Sequence, residues 1–273
     1  MNELDLYNGY QLPAKTPTKK HRKSHKKGYK WFVGLIITMF LVIIFFVANA
    51  FSNILAFSNV SLFKAKAIVV KGFNIYAVTI GAYEDEKSAV MQAEEVQLSG
   101  AGGYVMYDLN YCVVLNAYLS SSDAQNVLEK VIKTKADAEL KVIEINRCQL
   151  QGVSDKEERE EVENALNIFK DTYQNLYDIS INLDLSKITT AEAKVKLAEL
   201  LNEVSNKASA FRDVAKKMTD AKFSLTQAKI DQVVNLLNTL VESALTSTRL
   251  SSLIKHAQIS CLMLQNELAL LLA

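Results

Sequence analysis

Histidines, cysteines and clustered carboxylates are the side chains from which this chain could build a catalytic or metal centre, and they are few or poorly placed. His21 and His25 sit in a basic N-terminal run, and His256 stands alone between Lys255 and Ala257 on an expected helix. A Ser or Cys nucleophile would need that single imidazole as its base, and no nucleophile turn accompanies it. Cys112, Cys148 and Cys261 are too few and too scattered for a disulfide framework or a zinc site, so they read as packing residues. Glu157, Glu158, Glu160, Glu161 and Glu163 are close in sequence, yet their spacing surrounds a helix rather than converging on a point. No Walker loop, dinucleotide fingerprint or metal-ligand pattern occurs. The expectation is a non-enzymatic protein without metal or cofactor, whose chemistry is binding.

The elements that would position a binding surface begin with a repeat. Sliding the sequence by 35 places sets residues 76–97 on 111–132, with seven of 22 aligned positions identical, among them Tyr76/Tyr111, Val78/Val113, Ala82/Ala117 and Tyr83/Tyr118. A similarity at fixed period is one supersecondary unit used twice. Each copy opens with alternating β-formers and continues, after a polar turn, into a helical pattern. The helices place Ala89, Ala93 and Val96, then Ala124, Leu128 and Val131, on common stripes. Gly100, Gly102 and Gly103 end the first helix, Tyr104–Asp108 follows as a strand, and LKVIEIN (140–146) closes the unit. The order is βαββαβ: one four-stranded antiparallel sheet with two helices on one face. Val78 and Ile80 face those helices, which leaves Ala77, Thr79, Gly81, Cys112, Val114 and Asn116 on the open face.

The stretch Tyr76-Ala77-Val78-Thr79-Ile80-Gly81-Ala82-Tyr83 resembles the first strand of a SPOR (sporulation-related repeat) domain. Tyr111-Cys112-Val113-Val114-Leu115-Asn116-Ala117-Tyr118, with Ser121-Ser122-Asp123-Ala124 after it, resembles the second copy in outline. The resemblance covers roughly 74–146 and implies a ferredoxin-like (RNP-like) fold that binds peptidoglycan, preferring glycan strands stripped of stem peptides, through the open sheet face. Sugar recognition needs flat aromatics together with amide or hydroxyl groups. On that basis the expected glycan-binding residues are Thr79, Tyr83, Asn116 and Tyr118. Thr79 and Cys112 depart from the family's Gln and Arg, and Asn116 departs from its Gly. A second reading stands beside this one, in which the fold is kept and the sheet face packs against another part of the chain.

Residues 153–273 contain neither Gly nor Pro, which argues for long helices. Ser154 with Glu157 or Glu158 suggests a capping box, and Val162, Leu166, Phe169, Tyr173 and Leu176 repeat at 4-3-4-3 spacing. A turn is expected at Asn182–Thr190 with Thr189 or Thr190 recapping. A second helix then carries Ala193 to Met218, and a third runs from about Ser224 with Ile230, Val233, Leu237, Leu240 and Ala244. The Ser/Thr cluster at 243–252 bends or divides it before a last apolar segment, 262–273. Burying these stripes requires a bundle of three or four helices, or assembly between chains.

Trp31 to Phe51 runs without a charged side chain, long enough to cross a bilayer as a helix. Residues 1–30 carry eight basic and two acidic side chains, so the N-terminus is expected in the cytoplasm and the rest outside. Cleavage after Ala48-Asn49-Ala50 is the alternative. The remainder of the chain is net acidic, which argues against nucleic-acid binding, and the basic run serves as a topology signal.

The sequence therefore predicts an α+β, single-pass protein of the bacterial cell envelope. Its parts are a basic tail (1–30), a transmembrane helix (31–51), a linker (52–72), a SPOR-like domain (73–150) and an all-α C-terminal helical bundle (153–273). Its expected function is peptidoglycan binding in cell division or sporulation. The alternative is a scaffold whose bundle binds a protein partner, or self-associates through 153–273, with the sheet domain structural.

Overall fold

The computed structural model describes residues 66–243 and 246–273, and the expected tail, membrane span and the linker up to residue 65 lie outside them. Among the described residues no helix is long and apolar enough to cross a membrane. The fold is mixed α+β. Six strands are β1 (Ile68–Val70), β2 (Phe73–Tyr83), β3 (Tyr104–Asp108), β4 (Asn110–Tyr118), β5 (Glu139–Ile145) and β6 (Cys148–Leu150). The helices among the described residues are α1 (Glu86–Leu98), α2 (Ser121–Val131), α3 (Lys156–Asp184), α4 (Thr190–Ala215), α5 (Ala221–Glu242) and α6 (Ser247–Leu272).

The main sheet has the order β3-β4-β2-β5 with every pair antiparallel. Both repeat helices start at the polar turns, where Asp85 accepts from the Ser88 amide at 2.9 Å and Ser120 from the Asp123 amide at 3.2 Å. Their small side chains lie on the sheet: Ala89, Ala93 and Val96 pack with Ile80 and Val113, and Ala124 and Leu128 with Val78 and Tyr118. The segment at 68–70 is a strand, as its β-branched run suggests, and its partner is β6, with Ile68 opposite Leu150 and Val70 opposite Cys148. That two-stranded ribbon stands apart from the main sheet.

The helical segment forms a ring in which α3, α4, α5 and α6 each pack against the next and α6 returns to α3. Neighbours run antiparallel, as the pairs Glu158–Lys217, Arg212–Asp231 and Lys229–Glu267 show. The apolar stripes meet inside one chain: Val162, Leu166, Phe169 and Leu176 pack with Leu197, Phe211, Ile230, Val233 and Leu237. No assembly between chains is needed to bury them.

Local starts and stops differ from expectation in instructive ways. Asp155, not Ser154, caps α3, because its carboxylate reaches both the Glu157 and Glu158 amides at 2.9 and 3.0 Å. The helix runs on to Asp184, held by the buried Ile179 and Leu183, so the turn is compressed to five residues with Ser186 at φ 53°. Thr189 and Glu192 then form the expected capping box. Asp220 starts α5 three residues earlier than its apolar stripe indicates. The Ser/Thr cluster divides α5 from α6 at its first residues, and the remaining serines lie inside α6.

The described residues form one compact unit, so the strand-rich and helical segments pack as a single body. The two faces of the sheet are both covered.

Candidate functional site

The sheet face expected to be open is the floor of an interface. Ile75, Ala77, Val114, Ala117 and Ile145 form one apolar cluster with Tyr173 of α3 and with Ile259 and Leu262 of α6. The Tyr173 hydroxyl donates to the Ala117 carbonyl at 2.9 Å, which ties α3 to the sheet. The four expected glycan-binding residues are not brought together on an exposed surface.

Thr79 shares the Ala77 face by alternation and is fully buried, with an Oγ1 that has no hydrogen-bond partner among the described residues. Asn116 is also buried, and it leaves the expected face. Pairing steps from Val78 opposite Asn116 to Thr79 opposite Val114, so β4 contains one extra residue at this point. Such a bulge reverses the alternation downstream of it. The Asn116 amide donates to the Tyr118 hydroxyl at 3.2 Å, and the Tyr118 ring packs with Val78, Ala124 and Leu128 on the α2 side. Burial pushes the Tyr118 phenol up to about 12. Tyr83 follows a second irregularity, where Gly81 adopts φ 75° and the Tyr83 ring occupies the space a Cβ there would take, 2.2 Å away. It packs beside Ile80 and Ala89, again on the helix side.

Because Thr79 holds a buried hydroxyl without a partner, Thr79→Val, nearly isosteric, is expected to stabilise the protein by about 1 kcal/mol in urea denaturation. A loss of stability instead would show that the hydroxyl is satisfied.

What the sequence did not reveal is a polar latch between α6 and the glycine turn that ends α1. Ser252 Oγ donates to the Ala101 carbonyl at 2.6 Å, Lys255 Nζ to the Gly100 carbonyl at 2.7 Å, and His256 Nδ1 to the Gly102 carbonyl at 3.2 Å. Lys255 also meets Asp184 at 2.6 Å, and Ser251 donates to the same carboxylate at 2.5 Å. A Cβ on Gly102 would lie 3.0 Å from the Leu115 carbonyl oxygen and 3.2 Å from Ile259 Cδ1, so the missing side chain lets α6 approach. At the other end of α6, Asn266 Oδ1 accepts from the Asn146 amide and side chain at 3.1 and 2.8 Å. A signal was available: Ser251 and Ser252 stand four residues before Lys255 and His256, so the four polar side chains share one side of the helix.

Burial shifts the titration of the thiols and of the single described imidazole. Desolvation raises all three thiols, Cys148 to about 11 and Cys261 to about 12, so they stay protonated. Burial lowers His256 below its usual value and keeps it neutral, against the smaller raising effect of the Gly102 and Gly103 carbonyls. Folding thus releases a proton that the unfolded imidazole binds, and stability is lost as pH falls below about 6.5, the ordinary histidine value. Wild type is expected to lose stability between pH 7 and 5, measured by urea titration at each pH, and His256→Gln to lose less over the same range.

A groove on the bundle is flanked by the first residue of the sheet's edge strand. Tyr104 at the start of β3 faces Gln232, Asn235 and Leu236 of α5 and Met263 and Leu264 of α6 across a groove of about 370 Å³. It combines an aromatic ring, two carboxamides and apolar side chains. Among the described residues no group of His, Cys, Asp or Glu is arranged to hold a metal ion. No protein-family model, curated protein or solved structure matches this chain.

Proposed function

We propose that this chain is a non-enzymatic, membrane-anchored scaffold of the bacterial envelope, in which a SPOR-like sheet is the structural base of a helical bundle that receives a protein partner. The observation that carries this reading is the burial of the sheet face beneath Tyr173, Ile259 and Leu262. A glycan strand would meet helix there, not sheet, and Thr79 and Asn116 have no solvent-facing hydrogen-bonding group to offer it. The resemblance in strands β2 and β4 and the βαββαβ order support the SPOR-like part. The apolar stretch 31–51 supports the anchor. The groove between Tyr104, α5 and α6 is the surface assigned to the partner, since it offers anchoring apolar side chains beside adaptable amides.

Two measurements on the full-length chain test the reading. The detergent-solubilised protein is sedimented with peptidoglycan sacculi, before and after amidase removal of stem peptides, and is expected to stay in the supernatant both times. Sedimentation that rises with amidase and falls in a Thr79→Ala, Asn116→Ala variant would restore glycan binding and overturn the scaffold. A photo-crosslinking residue at Asn235 is expected to trap a discrete protein in cells, whereas the same residue at exposed Lys87 on α1 traps none. Equal labelling from both positions would remove the groove from consideration.

A further inference from the structure

We infer that the chain pairs with a second copy of itself through β1 and the first turns of α3. Among the described residues β1 is bonded to β6 on one side only, and a groove of about 790 Å³ runs along residues 66–69 and the α3 surface. The strand is rigidly presented: Ile68 and Val70 are buried, and Arg159 Nη1 donates to the Lys66 and Val153 carbonyls at 2.6 and 3.0 Å. Val69 points outward, 44% exposed. An unpaired strand edge held in register is a template for another strand.

Charge selects the partner. The groove carries Lys66, Lys156 and Arg159 beside Glu160 and Glu163; Arg159 is engaged by the Lys66 and Val153 carbonyls, and the other four, all exposed, have no ion-pair partner among the described residues. A ligand of one sign would meet repulsion from half of them. A second copy carries both signs, so a twofold contact can set basic side chains of one copy against acidic side chains of the other, as self-complementarity requires. The two ribbons then join as a four-stranded sheet, β6-β1-β1-β6, with the two Val69 side chains opposite each other.

A strand of three residues buries little area, so the contact is weak in dilute solution. It gains from the membrane anchor proposed above, on which this part of the inference rests. Only fourteen residues (52–65) separate the apolar stretch from Lys66, so two anchored copies hold their β1 edges at high effective concentration.

The test uses the full-length chain in vesicles of neutral phospholipid. Val69→Cys is expected to form a disulfide dimer under mild oxidation at least tenfold faster than Met91→Cys, an exposed position on α1, while the native cysteines are buried and silent. A chain with Glu160→Lys and Glu163→Lys, and another with Lys66→Glu and Lys156→Glu, each in the Val69→Cys background, should each lose most of the crosslink. Mixing the two should restore it as a heterodimer. Equal crosslinking at 69 and 91, or charge variants that change nothing, would overturn the inference. Flotation of the same samples scores anchoring separately. A chain that does not float but still crosslinks at Val69 in concentrated solution fails the anchor and keeps the dimer.

Discussion

Replacing Tyr173 with alanine is expected to destabilise the protein by about 3–5 kcal/mol, the range for losing a large buried ring. Tyr173 is among the largest fully buried side chains, and it is the one α3 residue inside the apolar cluster between sheet and bundle. Its removal opens a cavity bounded by Ala117 on one side and by α6 on the other, two surfaces that cannot both collapse inward. Tyr173→Phe keeps the ring and deletes only the hydrogen bond to the Ala117 carbonyl, so it should cost about 1 kcal/mol. Urea denaturation followed by far-ultraviolet circular dichroism gives both values. Amide exchange in Tyr173→Ala should rise in β4 and α6 while α4 and α5, remote from the cavity, keep their protection. A uniform rise would mean that sheet and bundle unfold only together.

The second large effect belongs to Lys255. Its side chain is 11% exposed and bridges the Asp184 carboxylate to the Gly100 carbonyl, so Lys255→Met strips both of a charged donor at once. Breaking a buried pair from one side is costly because the remaining charge stays desolvated. Asp184 keeps 38% of its side chain in contact with solvent and retains Ser251 as a donor, which holds the expected loss to about 2–3 kcal/mol. Adding Asp184→Leu to Lys255→Met should recover about half of it, since the orphaned carboxylate goes too. A double variant less stable than the single one would show that Asp184 is held by something other than Lys255. Exchange at residues 100–103 should accelerate in Lys255→Met, as the turn loses its strongest tie to α6.

The sequence by itself determined the local fabric of this protein. The repeat at 76–97 and 111–132 set two strand–helix units, because alternation and helical periodicity are properties of neighbouring residues. The absence of Gly and Pro after 152 set three or four long helices, and Thr189 or Thr190 marked where one of them starts. Asp155 and Asp220 were legible as caps in principle, but Ser154 offered the same chemistry beside the first, and the contacts of the two carboxylates with the amides of residues 157, 158 and 222 are what the structure adds. The scarcity of histidine and cysteine was legible from number alone, while the burial that shifts the thiols and His256 is something no local pattern records.

The tertiary structure decided the character of the candidate site. Asn116 left the expected face because a bulge in β4, fixed by pairing with β2, shifted the alternation by one residue, and register is a property of two strands. Thr79 stayed on that face and was sealed beneath helices nearly a hundred residues or more further along the chain. Likewise β1 was visible as a β-branched run, whereas its pairing with β6 depends on where the chain brings residues 148–150. Side-chain type and spacing fix what a segment can present, and packing against distant segments fixes whether that surface meets water, another helix or a second chain.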